Sequence, residues 1–168
     1  CQQLTVSYEI ILVNDGSTDD SEKILAGFAQ KHPGIFRIIH FNGNFGQHMA
    51  IMAGFEHVRG KLIITLDADL QNPPEEIPKF IEQFEQGHDV IGGYRLDRQD
   101  LAWRKVVSKA HNRLRQLIAP QIVMRDEGCM LRGYAKEVVD SMVACQEAST
   151  FIPALALTYA KNPTEVGV

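Results

Sequence analysis

The sequence lacks apolar segments that could cross a membrane, and it lacks cysteine patterns that bind zinc or form disulfide frameworks. No apolar run among its 168 residues reaches the roughly 18 that span a bilayer, and no signal peptide is visible. Cys1, Cys129 and Cys145 form no CxxC or CxxH pair, which favours reduced thiols in a cytosolic setting. The net charge of -4 argues against nucleic acid as the main partner.

Several nucleotide-site and hydrolase motifs are also absent. The sequence contains no G-x-G-x-x-G, which disfavours a dinucleotide-binding fold, and no G-x-S-x-G nucleophile motif. Five residues separate Gly54 from Gly60-Lys61, where a P-loop has four, and no Ser or Thr follows the lysine. A nucleotide site in this chain must therefore be built in another way.

Both ends of the sequence predict a piece of a longer chain. Residue 1 is Cys rather than Met, and residues 162–168 stop just as a new β-like segment begins. A hydrophobic content of 45% with 23% charged residues is ordinary for a globular domain. We therefore expect residues 1–168 to form one soluble domain that is truncated at both ends.

The hydrophobic pattern alternates between strand-like and helix-like segments. Tyr8–Val13 is an apolar, β-branched run that predicts a buried strand, and the helical pattern after it stops at Pro33-Gly34. This repetition predicts an α/β fold with a mostly parallel sheet and helices on both faces. The other predicted elements are strands at 36–41, 61–66 and 89–92, helices at 47–58 and from Pro73-Pro74 to Gly87, then an amphipathic stretch, a short strand near Met130 and two more helices.

Two acidic clusters directly follow predicted strands, at 14–17 (Asn-Asp-Gly-Ser) and at 67–71 (Asp-Ala-Asp-Leu-Gln). Ligands of open α/β sheets bind at the carboxyl ends of the strands, so we expect both clusters to border one crevice. The first cluster could bind a base or ribose, and Gly16 would allow close backbone approach. The alternative is that Ser17 and Asp19 only cap the next helix.

Asp67, Asp69 and the amide oxygen of Gln71 form an all-oxygen set. Mg²⁺ and Mn²⁺ prefer such ligands and keep open positions for substrate phosphates. A metal here would offset the charge that develops on a diphosphate leaving group. The alternative is a helix N-cap ahead of Pro73-Pro74, but the position after a buried strand favours a metal site.

Basic residues flank an apolar stripe in the segment Leu101–Ile118. An interfacial helix has this composition, with its cations meeting anionic headgroups, and a surface helix packed on the sheet is the alternative. Arg95 and Arg104 could instead bind substrate phosphates through their guanidinium forks. Asp126 and Glu127 could be surface charges in a turn, or they could face an acceptor.

Three segments resemble the family 2 glycosyltransferases of the GT-A fold: 11–21 (ILVNDGSTDDS), 44–54 (NFGQHMAIMAG) and 62–78 (LIITLDADLQNPPEEIP). Two more, 127–134 (EGCMLRGY) and 149–155 (STFIPAL), are similar to the polyprenyl-phosphate glycosyltransferases within that family. The resemblance implies inverting transfer of a sugar from a UDP-sugar to a polyprenyl phosphate, with Mg²⁺ or Mn²⁺ as cofactor. It also implies that the full-length protein works at the cytoplasmic face of the bacterial inner membrane.

The resemblance further implies roles for individual residues. Asp15 would hold the uracil, and Asp126 matches an acidic residue of the acceptor region that is sometimes proposed as a base. A lipid phosphate is already ionised near neutral pH, so positioning and charge stabilisation should carry most of the rate. The implied groups are nucleotide-binding Asn14, Asp15, Gly16, Ser17 and Asn44, metal-binding Asp67, Asp69 and Gln71, phosphate-binding Arg95 and Arg104, and catalytic Asp67, Asp69 and Asp126.

The sequence departs from the family in three respects. The first strand, with its Val-Pro-x-Tyr-Asn-Glu-like motif, is missing, Asn14 replaces an Asp, and the transmembrane helices of full-length relatives are absent. Three alternatives stay open. They are a polyprenyl-phosphate mannosyl- or glucosyltransferase, a soluble transferase with a saccharide acceptor, and a non-catalytic nucleotide- or membrane-binding module.

Overall fold

The computed structural model describes residues 6–69, 71–96, 124–126, 128–145 and 151–168. Its elements alternate between strands and helices, as the hydrophobic pattern predicts. The strands are β1 (Ile10–Asn14), β2 (Phe36–His40), β3 (Leu62–Thr65), β4 (Val90–Tyr94), β5 (Arg132–Ala135) and β6 (Pro163–Gly167). The helices are α1 (Ser21–Lys31), α2 (Gln47–Phe55), α3 (Ile77–Glu85, after a 3₁₀ turn at Pro74–Glu76), α4 (Lys136–Ala144) and α5 (Ile152–Tyr159).

The described strands form two sheets, which contain both parallel and antiparallel pairs. β1 and β2 pair in parallel, as do β4 and β6, but β3 and β4 do not pair with each other. Instead β5 lies between them and runs antiparallel to both, so β3 and β4 still point the same way. Gly133 of β5 packs closely here, because a Cβ there would lie 3.2 Å from the Ile91 side chain and 3.3 Å from the Phe80 side chain.

Helix α2 is shorter than predicted. It ends at Phe55 rather than Val58, because the chain tightens into turns in which His57 N–H bonds Gly54 O and Val58 N–H lies 3.5 Å from Phe55 O. No helix among the described residues is both long and apolar enough to cross a membrane.

Helices cover both faces of the four-stranded sheet, as predicted. On one face α4 and α5 pack with the end of α2, where Phe55 meets Tyr134 edge-on with ring centroids 5.5 Å apart. On the other face α3 places Phe80 against Ile91 and Leu131. Successive strand residues point to opposite faces, so Val90 and Ile91 belong to different cores. α2 also packs on β1, so it connects the two sheets.

Strand β1 is less buried than its sequence predicts. Ile10–Val13 are only half-buried, whereas Val90–Gly93 of β4 are buried throughout. β1 pairs with β2 on one edge, and β3 is the edge strand of its sheet, so each has one edge without a strand partner among the described residues.

Candidate functional site

The carboxylate of Asp15, at the end of β1, holds the loop that leads into α2. Its two oxygens accept the backbone N–H groups of Phe45 at 2.7 Å and Gly46 at 2.8 Å. Asn44 adds a bond from its side-chain amide to the Asp15 carbonyl at 3.3 Å. Because negative charge is favourable near a helix N-terminus, this contact also suits the start of α2. Asp15 therefore ties the carboxyl end of β1 to the first turn of α2.

The turn after Asp15 requires glycine. Gly16 has φ +69°, and a Cβ there would lie 2.4 Å from the carbonyl carbon of Gly43 and 2.7 Å from the nitrogen of Asn44. No other residue fits so close an approach of two backbones. The cluster at 14–17 is thereby pressed against the loop that carries Asn44.

Asn14 and Ser17 complete this turn. The buried Asn14 accepts the Ser17 N–H at 3.0 Å, and its amide nitrogen lies 3.3 Å from His40 Nδ1. Ser17 does not cap α1, which begins at Ser21 and whose N–H there bonds to Asp19 at 3.0 Å. The five residues predicted to bind nucleotide thus lie together, and whether they bind one remains a prediction.

Asp67 and Asp69 lie in the loop that follows β3, after Leu66. Asp67 is half-buried, and its Oδ1 accepts a bond from the side-chain amide of Gln47 at 2.8 Å. Asp69 is exposed, and its Oδ1 accepts the Gln71 backbone N–H at 3.0 Å. Burial and then the charge of Asp69 raise the pKa of Asp67, while the Gln47 bond lowers it. The two carboxylates therefore repel one another, as paired metal ligands do before a cation binds.

The arrangement argues against the helix-cap alternative for these carboxylates. The 3₁₀ turn at Pro74–Glu76 has Pro73 as its N-cap residue and receives no side-chain capping bond. Neither Asp67 nor Asp69 serves that turn. The two carboxylates therefore remain candidate oxygen ligands for a cation at the end of a strand.

The residues fit a hard cation, with a limited donor set. In the described part of the chain, no group of three or more His, Cys, Asp and Glu side chains could hold a metal ion. Besides Asp67 and Asp69, a cation would need the neutral amide of Gln71, substrate phosphates or water. Mg²⁺ and Mn²⁺ accept such sets, with few carboxylates and several outside ligands.

Arg95 and Asp126 form a bidentate ion pair near the end of β4. Arg95 Nε bonds Asp126 Oδ2 at 2.8 Å, and a terminal nitrogen of the same guanidinium bonds Oδ1 at 3.1 Å. Asp126 is 4% exposed and also accepts the Gly128 N–H at 3.1 Å, whereas one third of the Arg95 side chain is exposed. Two residues that were predicted to act separately, on the diphosphate and on the acceptor, are therefore one unit.

Arg132 was missed by sequence reasoning. It is 3% exposed, its Nε donates to Cys129 O at 2.9 Å, and a terminal nitrogen donates to Asp126 O at 2.9 Å. Thr65 adds a hydroxyl bond to Met130 O at 2.9 Å. The available signal was an arginine inside the apolar segment that predicts a short strand near Met130. Its structural role is to anchor the loop that carries Asp126.

These contacts bring three strand ends to one edge of the molecule. Thr65 of β3 and Gly92 of β4 both lie opposite Arg132 of β5, so Asp67 and Arg95 emerge on either side of the start of β5. On the β1 side, Asp15 holds Phe45 and Gly46, and the next residue, Gln47, holds Asp67. The two acidic clusters are therefore linked by a continuous series of contacts, and the single crevice between them stays a prediction.

Three predicted features lie outside the described residues. They are Arg104, the basic segment 101–118 and Glu127. Their roles at the diphosphate, at the membrane surface and at the acceptor therefore stay predictions.

Comparison with known proteins identifies the class. Residues 1–142 match the glycosyl transferase family 2, and the chain belongs to this family. It is 52% identical over 166 residues to the undecaprenyl-phosphate 4-deoxy-4-formamido-L-arabinose transferase of Pseudomonas syringae pv. syringae. This match covers 99% of the chain and 49% of that protein. The transferase of the same name from Klebsiella pneumoniae strain 342 is 51% identical, over 100% of the chain and 51% of that protein. The chain spans about half the length of these relatives.

Solved structures show the same fold at much lower identity. Glucosyl-3-phosphoglycerate synthase of Mycobacterium tuberculosis, in complex with Mn²⁺, UDP and glucosyl-3-phosphoglycerate, has a TM-score of 0.61 and 16% identity, covering 95% of this chain and 59% of that one. S. aureus TarS 1–349 has a TM-score of 0.63 and 14% identity, covering 94% and 48%. The predicted GT-A fold is confirmed.

Proposed function

We propose that this chain is the catalytic part of a transferase that moves a sugar from a UDP-sugar to a polyprenyl phosphate, with Mg²⁺ or Mn²⁺ as cofactor. The observation that carries the proposal is the series of contacts from Asp15 through the start of α2 to Asp67. The contacts that link Asp15 to Asp67 support binding of a nucleoside and its diphosphate at neighbouring positions. Identity of about half to the undecaprenyl-phosphate transferases supports the lipid acceptor.

Support for the donor comes from the first cluster and from the fold. The synthase of M. tuberculosis was solved with Mn²⁺ and UDP bound, so this fold accommodates both. In this chain Asp15 uses its oxygens to hold Phe45 and Gly46, and each carboxylate oxygen retains a second lone pair for a base or ribose. Asp15 would then act both as a holder of the loop and as a nucleotide contact.

The proposed reaction needs little acid–base chemistry. An oxygen of the acceptor phosphate attacks the anomeric carbon from the face opposite UDP, the bond from that carbon to the diphosphate oxygen breaks, and the configuration inverts. A bound divalent cation would supply charge neutralisation at the departing diphosphate. Because a phosphate monoester is already ionised near neutral pH, Asp126 need not remove a proton.

The Arg95–Asp126 pair suits a positioning role in this reaction. Asp126 is buried and bonded to Arg95 and Gly128, so its carboxylate orients the guanidinium. An oriented guanidinium can receive a phosphate without reorganising at the moment of reaction. We assign Arg95 to a phosphate of the donor or of the acceptor, and Asp126 to its support.

The membrane partner of the proposed enzyme is assigned from sequence. The basic segment 101–118 would lie at the membrane surface near the lipid phosphate, at the cytoplasmic face of the inner membrane. Vesicles containing anionic lipid test this assignment. Substitution of Lys105, Lys109 and Arg113 by Gln should lower vesicle binding of the complete gene product.

Calorimetric titration with UDP, with and without Mn²⁺, tests the proposed function. It should be run on the 168-residue chain and on a longer form that carries the first strand of its relatives. UDP should bind more tightly with Mn²⁺, and Asp69→Ala should remove the metal-dependent part. Asp140→Ala, at an exposed carboxylate of α4 paired with Lys136, is the matched control and should bind like the parent chain.

Three results would contradict parts of the proposal. Metal-independent UDP binding that survives Asp69→Ala would remove the metal site. Stronger competition by GDP than by UDP would favour a mannosyltransferase. Turnover on a saccharide acceptor without polyprenyl phosphate would favour a soluble transferase.

A further inference from the structure

Gln47 connects the two acidic clusters, although its amide side chain did not mark it as part of a site. It is the first residue of α2, and its Nε2 donates to Asp67 Oδ1 at 2.8 Å. The two preceding residues, Phe45 and Gly46, donate their backbone N–H groups to Asp15 at 2.7 and 2.8 Å. The consecutive residues 45–47 therefore contact the carboxylate of Asp15 through their first two members and that of Asp67 through the third.

The chemistry of this donor suits a carboxylate that has to keep its charge. An amide N–H fixes the orientation of a carboxylate without a positive charge that would compete with a cation. Gln47 bonds one oxygen of Asp67, and in the described part of the chain no other side chain donates to that carboxylate. The second oxygen, Oδ2, therefore remains available to a ligand.

We propose that Gln47 is a positioning residue for the metal-binding carboxylate of Asp67, and that Asp15 acts on the same carboxylate through Phe45 and Gly46. The inference rests on the proposed function, because it requires that Asp67 binds a cation. Groups that orient metal ligands from outside the coordination sphere commonly change metal affinity. The nucleotide-side and metal-side carboxylates would then be coupled before any nucleotide binds.

The coupling between Asp15 and Asp67 follows from the order of these contacts along the chain. Asp15 holds the backbone immediately before Gln47, so weaker bonds to Phe45 and Gly46 would let Gln47 move away from Asp67. Gln47 itself is exposed, so shortening its side chain leaves the hydrophobic core untouched. Its substitution therefore tests positioning with little effect on folding.

Titration of Mn²⁺ without nucleotide tests the proposal, with free Mn²⁺ followed by electron paramagnetic resonance. Gln47→Ala should weaken Mn²⁺ binding about tenfold, in the range for lost outer-sphere partners. Asp15→Asn should weaken it by a smaller factor, and should add nothing in the Gln47→Ala background, because its effect passes through Gln47. Gln86→Ala removes another exposed amide contact, to Glu82 at 3.4 Å, and should leave Mn²⁺ affinity unchanged.

The results separate the inference from the proposed function. Absence of Mn²⁺ binding by both the parent chain and the longer form with the first strand would overturn the metal site, and the role of Gln47 with it. Mn²⁺ binding that Gln47→Ala leaves unaltered would overturn the positioning role alone. Full additivity of Asp15→Asn and Gln47→Ala would overturn the relay from Asp15. Circular dichroism melting curves, unchanged in both glutamine variants, confirm that a lower affinity is not unfolding.

Discussion

Arg95 and Asp126, 31 positions apart in the sequence, form a two-pronged ion pair in which the carboxylate is 4% exposed. The guanidinium contacts the carboxylate from the end of β4, and the Gly128 N–H donates to Oδ1 of the same carboxylate. Because one partner is buried and the other partly exposed, removing the carboxylate charge should cost more than it does in a surface pair.

We expect Asp126→Asn to lower the free energy of unfolding by about 2 kcal/mol, less than a fully buried pair because solvent screens part of Arg95. The same variant should weaken binding of UDP or of a phosphate acceptor, since Arg95 loses its orientation. Urea denaturation and calorimetry measure the two effects. Asp140→Asn, in the exposed pair with Lys136, should change stability by less than about 0.5 kcal/mol. Equal effects of the two variants would show that burial of the Arg95 pair has no energetic consequence.

Gly16→Ala should destabilise the fold strongly. Its φ of +69° is unfavourable for alanine, and the added Cβ would meet the Gly43 backbone at 2.4 Å. We expect a loss of about 2–4 kcal/mol in urea denaturation, since backbone strain and a clash add together. Gly34→Ala is the matched control, with φ +90° and no atom within 4 Å of its Cβ, and should lose only about 1 kcal/mol. Similar losses at both positions would mean that the approach of Gly16 to Gly43 is not tight in solution.

Tyr134 should make the fold sensitive to high pH. Burial raises the pKa of Tyr134 to about 12, from 10.0 in an exposed tyrosine. The unfolded chain therefore releases this proton first, so the contribution to stability is complete below pH 10 and is lost as the pH rises toward 12. A shift of that size corresponds to about 3 kcal/mol.

The difference between the parent chain and Tyr134→Phe isolates this group from other residues that titrate at high pH. Urea denaturation at several pH values between 8 and 12 would measure it. We expect the parent chain to lose stability more steeply than Tyr134→Phe above about pH 10. Parallel curves would contradict a buried, protonated Tyr134.

Arg132→Lys should loosen the loop that carries Asp126. Lysine cannot present two separate nitrogens to Cys129 O and Asp126 O, the two carbonyls that Arg132 bonds at 2.9 Å. We expect a loss of about 2–3 kcal/mol and faster hydrogen exchange at the Gly128 amide. Arg125→Lys, at a side chain 66% exposed, is the control and should change stability by less than about 0.5 kcal/mol. Unchanged exchange at Gly128 in Arg132→Lys would show that the loop is held by other contacts.

Much of the site could be predicted because its residues lie next to one another in the sequence. The strand that precedes Asp67 and the strand that precedes Asp15 are visible from their apolar, β-branched runs, so both clusters were placed at strand ends. The positive φ of Gly16 belongs to a local turn, but its close approach to Gly43 is a contact between segments far apart in the chain. By contrast, Gln47 acts on Asp67, which is 20 positions away. Arg132 bonds carbonyls only three and six positions away, but its burial and its role in holding the Asp126 loop depend on the packing of β5 between β3 and β4.

The sequence alone determined the class of fold, the order of its strands and helices up to β4, and the two acidic clusters, because hydrophobic periodicity and turn residues are local properties. Only the tertiary structure decided that β5 runs antiparallel between β3 and β4, that Asp126 holds Arg95, and that Gln47 joins Asp67 to the loop held by Asp15. Those choices depend on pairing energies and side-chain reach between segments far apart in the chain. Local patterns do not encode them.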